Sequence, residues 1–194
     1  MLTRRTFIKS ALASNVALLA TPSHALQLAL DNNQDKPLLV FADEHALNAK
    51  NFISQVNDQK ENLNLDIGQH FDVLAKFCQE SPHGHIAGLT RDSDFFVLEQ
   101  LAKDHGFYVN YSATHSYDGQ TLTHEITAPK EPANLIATAL QNAADQWPNW
   151  LAKNMSSLPQ SHQAMITTKR QLTVANTQQH KFLVSWSLSA SKNS

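Results

Sequence analysis

A largely apolar run that ends in a polar loop occurs twice in this chain, and it restricts the fold more than any other feature. The first run covers residues 38–42, before Asp43, and the second covers residues 85–89, before Thr90. Apolar runs of this length predict strands that are buried on both faces, as in a parallel sheet with helices on either side. Each run precedes apolar residues at helical spacing, which are Ala46, Ala49, Ile53 and Val56 after the first and Phe95, Leu98, Leu101 and Ala102 after the second.

The rest of the chain predicts two further helices and two hairpins. In chain order these are a helix over 67–78, a hairpin of alternating strands over 107–112 and 121–126, a helix from Pro132 that Pro148 breaks or kinks, a loop over 153–169, and a closing hairpin over 172–174 and 182–188. Strands that alternate with helices early, and hairpins later, predict an α/β fold. We expect a single-domain sandwich over residues 37–190, with a mixed sheet (parallel strands plus antiparallel hairpins) flanked by helices.

Charge and cysteine content exclude several classes of protein. The chain has 15 Lys and Arg against 17 Asp and Glu, without a basic cluster in the predicted domain. Such a chain is a poor partner for nucleic acid or for anionic lipid. Its one cysteine, Cys78, excludes an intramolecular disulfide and falls on the apolar stripe of a predicted helix. We therefore interpret Cys78 as a core residue and not as a nucleophile.

The first 25 residues have the layout of a secretory signal. Arg4, Arg5 and Lys9 form a basic start, residues 11–20 form an apolar run, and small residues stand at Ser23 and Ala25 before the expected cut. A membrane-spanning helix needs about 20 apolar residues, and this run is half that length. The segment therefore predicts a cleaved export signal without a stable membrane anchor, followed by a polar arm over residues 26–36.

The start of this segment resembles the twin-arginine signal family. The residues that carry the resemblance are the pair Arg4 and Arg5, the aromatic Phe7 and the basic Lys9, in the order Thr-Arg-Arg-x-Phe-Ile-Lys. The weak apolar run also fits that family. The resemblance implies recognition by the twin-arginine export machinery, cleavage by signal peptidase after Ala25, and a mature protein in the periplasm that folds before export.

The two loops after the apolar runs carry the residues we select as ligand-binding candidates. These are Asp43, His45, Thr90, Arg91 and Asp92. In open α/β sheets, ligands bind beyond the carboxyl ends of parallel strands, where Arg91 would hold a carboxylate or phosphate and the aspartates would accept hydrogen bonds. The competing interpretation is that Asp43 and Asp92 or Ser93 are helix caps and that Arg91 pairs with a nearby acid. Glycine-rich phosphate loops and GxSxG elbows are absent from the sequence.

A second set of candidates consists of histidines. His83 and His85 stand two residues apart, and His115 and His124 flank the turn of the first predicted hairpin. Imidazole is a common ligand of zinc and copper, so His83 and His85 are candidates for a metal site. Loop histidines in water and a hydrogen-bonded His124 are the alternative.

The absence of a recognisable catalytic motif favours a binding function over catalysis. We expect an exported periplasmic α/β protein that binds a small polar or anionic ligand, or acts as an accessory protein. The alternatives are a small enzyme that uses Asp43, His45 and Asp92 as acid–base groups, and a histidine-based metal-binding protein. The sequence identifies neither the ligand nor a cofactor.

Overall fold

One sheet organises the fold. The computed structural model describes residues 36–56, 59–63, 67–160, 163–174 and 182–190. The strands among these residues are β1 (Leu38–Asp43), β2 (Gln59–Leu63), β3 (His85–Thr90), β4 (Phe107–Tyr117), β5 (Thr121–Pro129), β6 (Met165–Thr173) and β7 (Phe182–Ala190). They lie side by side in the order β2-β1-β3-β7-β4-β5-β6.

The first half of the sheet is parallel. β1 lies between β2 and β3 and pairs with both in parallel. Every residue of β1 and β3 is buried, which confirms the prediction from the two apolar runs. The connections are the helices α1 (Leu47–Ser54), α2 (Phe71–Glu80) and α3 (Asp92–Asp104). Because β1 and β3 are parallel neighbours, their carboxyl ends meet at one edge of the sheet.

The second half of the sheet is antiparallel. β4 and β5 form the predicted hairpin, with Ser116 opposite Thr123 and Tyr117 opposite Leu122. At the turn, Gly119 takes a φ of +104°, which suits glycine. The Asp118 carboxylate accepts the backbone N–H of Gln120 and of Thr121, at 3.0 and 2.7 Å. The helices α4 (Lys130–Ala143) and α5 (Trp147–Asn154) then lead to β6.

Helices cover both faces of the sheet and bury two apolar clusters. On one face, residues of α1, α4 and α5 pack on β1, β3, β4 and β5. On the other face, residues of α2 and α3 pack on β1, β3 and β7 around Trp186. This arrangement confirms the predicted α/β sandwich with a mixed sheet. Within the described part of the chain, every helix is too short or too polar to cross a bilayer.

Three predictions of local structure are wrong. Residues 165–173 form β6, although 153–169 was predicted as loop. β6 and β7 do not form a closing hairpin, because β6 pairs with β5 and β7 lies between β3 and β4. The sequence of β7 explains its central position, since it is buried on both faces over residues 183–189. β2 was missed because its sequence, Gln-Lys-Glu-Asn-Leu, has no apolar pattern.

Two predicted boundaries differ in detail. Pro148 does not kink a continuous helix but lies in the first turn of α5, where its missing N–H costs no helical hydrogen bond. The long helix ends before it, at Ala143, and its C-cap Ala144 has a φ of +49°. The predicted export signal (residues 1–25) and the arm as far as residue 35 lie outside the described residues.

Candidate functional site

Three of the five ligand-binding candidates meet at the carboxyl edge of β1 and β3. The register places Ala42 opposite Leu89, so Asp43 and Thr90 end neighbouring strands. The Arg91 Nε atom lies 3.1 Å from Asp43 Oδ2 and 3.0 Å from Asp94 Oδ2. Its Nη2 atom donates to Asp94 Oδ1 at 3.3 Å. We call the group Asp43, Thr90, Arg91 and Asp94 the edge cluster.

Burial makes the charges of the edge cluster interdependent. The side chain of Asp43 is 1% exposed and that of Asp94 is 9% exposed, whereas that of Arg91 is 32% exposed. Burial raises the pKa of Asp94; Arg91 opposes this shift and the nearby Asp43 carboxylate adds to it. One guanidinium therefore balances two carboxyl groups, and the two carboxyl groups have different environments.

The competing interpretation of these loops is wrong about the helix caps and right that Arg91 pairs with a nearby acid. α1 has Ala46 as its N-cap and α3 has Arg91, and neither helix start receives a side-chain cap hydrogen bond. Asp43 Oδ1 instead accepts the N–H of His45 at 2.7 Å, while Oδ2 faces Arg91. A buried carboxylate needs a cationic partner more than a helix start needs a cap, because an unpaired buried charge is the more costly of the two.

Buried aromatic side chains hold the hydroxyl of Thr90 in place. The indole N–H of Trp186 donates to Thr90 Oγ1 at 3.0 Å. The indole ring stacks between Phe41 and Phe95, with ring centroids 6.1 and 5.4 Å away. Gly88 makes room for this ring, since a Cβ there would lie 2.6 Å from the indole. The hydroxyl of Thr90 is thus fixed by a buried partner.

The other two candidates lie outside the cluster. His45 is exposed and its Nε2 atom lies 3.3 Å from Glu44 Oε1. Asp92 is exposed in the first turn of α3. Asp94 was not among the candidates, because choosing among Asp92, Ser93 and Asp94 needs the orientation of the first turn of α3, which follows the extended N-cap Arg91. The bidentate carboxylate partner expected for Arg91 is thus supplied by the protein itself.

The two metal-site candidates differ in environment. His83 is exposed, whereas His85 is 1% exposed. Burial, together with the charge of Lys36, lowers the pKa of His85 to about 3, so its ring is neutral at pH 7. Among the described residues, no group of three or more His, Cys, Asp or Glu side chains is placed to hold a metal ion. Metal binding through His83 and His85 stays a prediction.

A buried pair of histidines joins β4 and β5. The register places His115 opposite His124, and their Nδ1 atoms lie 2.7 Å apart. Trp147 of α5 covers the pair, stacked on the His115 ring with centroids 4.1 Å apart. His115 Nε2 lies 2.7 Å from Ser185 Oγ, which lies 2.8 Å from the Tyr111 hydroxyl.

The number of groups left without a hydrogen-bond partner decides the direction of the hydrogen bonds from Tyr111 to His124. If the Tyr111 hydroxyl donates to Ser185, then Ser185 donates to His115, which donates through Nδ1–H to His124. Only the Nε2–H of His124 then lacks a partner among the described residues. The reverse order would leave two groups without partners in the described part of the chain, the Tyr111 hydroxyl proton and the His124 Nε2 lone pair, which costs more. Both rings are neutral, because burial lowers their pKa values, that of His124 to about 4.

A cavity of about 500 Å³ lies elsewhere, between α2 and the first two strands. Its lining includes Leu38, Glu61, Val73, Lys76, Phe77 and Glu80. We call this cavity the α2 groove. It lies at the amino end of β1, whereas the edge cluster lies at the carboxyl end.

Comparison with known proteins gives no match: no family model, curated protein or solved structure is significantly similar to the chain. Function is therefore argued from the geometry and chemistry of the residues themselves.

Proposed function

We propose that the chain is an exported periplasmic protein that binds a small polar ligand, or a partner, at the edge cluster. The observation that supports this proposal is the placement of Asp43, Arg91 and Asp94 beyond the carboxyl ends of two parallel strands. That position is where open α/β sheets bind ligands. The export part rests on the resemblance of residues 1–25 to twin-arginine signals.

The charges of the cluster favour a neutral or cationic ligand over an anionic one. Asp94 already occupies the Nε and Nη2 donors of Arg91, which are the fork that an anionic ligand would use. Two acids also face one guanidinium, so an added anion meets a site with no surplus positive charge. A ligand with hydroxyl or ammonium groups would instead donate to the carboxylates, and a hydroxyl would also accept from Arg91, whose side chain is 32% exposed.

Thermal unfolding with a panel of sugars, amines, carboxylates and phosphates tests this proposal. A ligand at 100 times its dissociation constant stabilises the protein by about 2.7 kcal/mol, which gives a clear rise in melting temperature. We expect a sugar or an amine to produce this rise in the wild type and in the control Asp92→Asn. We expect no rise in Asp43→Asn, or in Arg91→Lys, which keeps the charge but loses the planar fork. Equal responses in all four proteins would remove the edge cluster from the binding site.

An enzyme is the second candidate function, and the environment of Asp94 favours it. Burial raises the pKa of Asp94, and the Asp43 carboxylate lies beside the same guanidinium. A carboxyl group with a raised pKa is suited to act as a general acid or base near neutral pH. Turnover of a bound ligand that stops in Asp94→Asn, with binding retained, would establish the enzyme; binding without turnover would exclude it for that ligand.

A further inference from the structure

We propose that the α2 groove is a second binding site, which takes a small organic cation with an apolar body. The groove has about 500 Å³ of space, within the range of cavities that hold small ligands. β1 separates it from the edge cluster: Leu38 at the groove and Asp43 at the cluster are roughly 17 Å apart along the strand. The two sites are therefore separate, and a negative result at the edge cluster would not affect the proposal for the α2 groove.

The inner wall of the groove is apolar. Phe77 of α2 is 6% exposed, and Val73, one turn earlier in the same helix, is half-buried beside it. The ring of Phe77 packs within 3.0 Å of where a Cβ on Gly84 would lie, so the loop before β3 holds this ring in place. An apolar body of a ligand would bury against these two side chains.

The charged groups of the groove leave one acid as the anchor. Lys76 Nζ lies 3.9 Å from Glu80 Oε1, and both side chains are more than 60% exposed, so these two charges offset each other at the rim. Glu61 lies deeper, with a side chain that is 23% exposed. Its partner is His70, whose Nδ1 atom lies 3.2 Å from Glu61 Oε2.

His70 positions the Glu61 carboxylate. The ring is 8% exposed and meets Phe41 edge-to-face at 6.3 Å. Its Nε2 atom is buried and has no partner among the described residues. An N–H on Nδ1 donates to Glu61. This contact orients the carboxylate above an apolar wall, which is the recognition chemistry of an alkyl- or arylammonium ion.

Calorimetric titration of the purified chain with phenethylamine and with 2-phenylethanol tests the site. The two compounds share an apolar body and differ in the ammonium group. A hydrogen bond to a charged group changes affinity by about tenfold or more, so we expect the amine to bind at least about tenfold more tightly than the alcohol. Glu61→Gln should remove this difference, and Val73→Trp should fill the groove and abolish binding of both compounds. Glu131→Gln, on α4, is the matched control and should bind as the wild type does.

Three results would overturn the site. They are equal affinity of the wild type for amine and alcohol, unchanged amine affinity in Glu61→Gln, and no binding of the amine at about 10 mM, where a ligand of this size with ordinary efficiency would bind. If a variant fails to fold, the affinities of the wild type for phenethylamine and 2-phenylethanol still test the site. Amine affinity that is unchanged in Asp43→Asn would place the site at the groove and not at the edge cluster.

Discussion

Acidification from pH 7 to pH 5 should destabilise this protein strongly, because three histidines are buried as neutral rings. His85, His115 and His124 are each 2% exposed or less, and burial lowers the pKa of all three. In the unfolded chain each ring would regain its ordinary pKa of 6.5. Below pH 6.5 the unfolded state therefore binds protons that the folded state does not. As the pH is lowered, the free energy of unfolding decreases.

The magnitude follows from proton linkage. Each ring that stays neutral in the fold costs about 1.4 kcal/mol per pH unit below 6.5, or about 2 kcal/mol between pH 7 and pH 5. Three rings give about 6 kcal/mol, which is comparable to the whole stability of many domains. The loss continues until the folded rings protonate, which for His124 occurs at about pH 4. Asp94, with a raised pKa, acts in the opposite direction and offsets part of the loss at the acidic end.

Urea unfolding at pH 5, 6 and 7 measures this slope. The double variant His115→Phe, His124→Phe replaces both partners of a buried hydrogen bond by rings of similar shape, and it should keep about one third of the wild-type slope. His105→Gln alters an exposed histidine and should keep all of it. A wild-type free energy of unfolding that stays flat from pH 7 to pH 5, or a double variant with an undiminished slope, would refute the reasoning.

Three further predictions concern other parts of the chain. Replacing Arg4 and Arg5 together by Lys should leave an uncleaved precursor in the cytoplasm; undiminished export would indicate the general secretory route. Gly88→Ala should lower stability by about 1–3 kcal/mol in urea unfolding, because its Cβ would meet the Trp186 ring at 2.6 Å; a neutral effect would contradict the packing. Cys78, with a pKa raised to about 11 by burial, should resist thiol reagents in the native protein at pH 8, and rapid labelling would contradict its burial.

The parallel half of the fold was predictable because its signals are local. The apolar runs at β1 and β3 fix two strands buried on both faces, and their shared direction brings Asp43 and Arg91 together. The partner Asp94 was not selected, because choosing among Asp92, Ser93 and Asp94 needs the orientation of the first helical turn. The pairing of His115 with His124 had a signal in the sequence, since a turn at Asp118–Gly119 places the two residues opposite each other.

The antiparallel half was predictable only in part, because its order depends on contacts far apart in the chain. The alternation in β7 identifies a strand but not its neighbours, and the nearest strand in sequence, β6, is not one of them. β2 is an edge strand whose sequence is mostly polar, so no apolar pattern indicates that it pairs with β1. The α2 groove depends on β2, and it was therefore not predictable either.

Native mass spectrometry of the protein purified from periplasm tests the proposed function most directly. We expect the wild type and the control Asp92→Asn to carry a small-molecule adduct that Asp43→Asn lacks, since Asp43 is the more buried of the two acids in the edge cluster. The adduct's mass would also identify the ligand class, for which we expect a hydroxyl- or amine-bearing compound. An adduct that is equally present in all three proteins, or a wild type that carries none and gains none from the ligand panel, would contradict binding at the edge cluster.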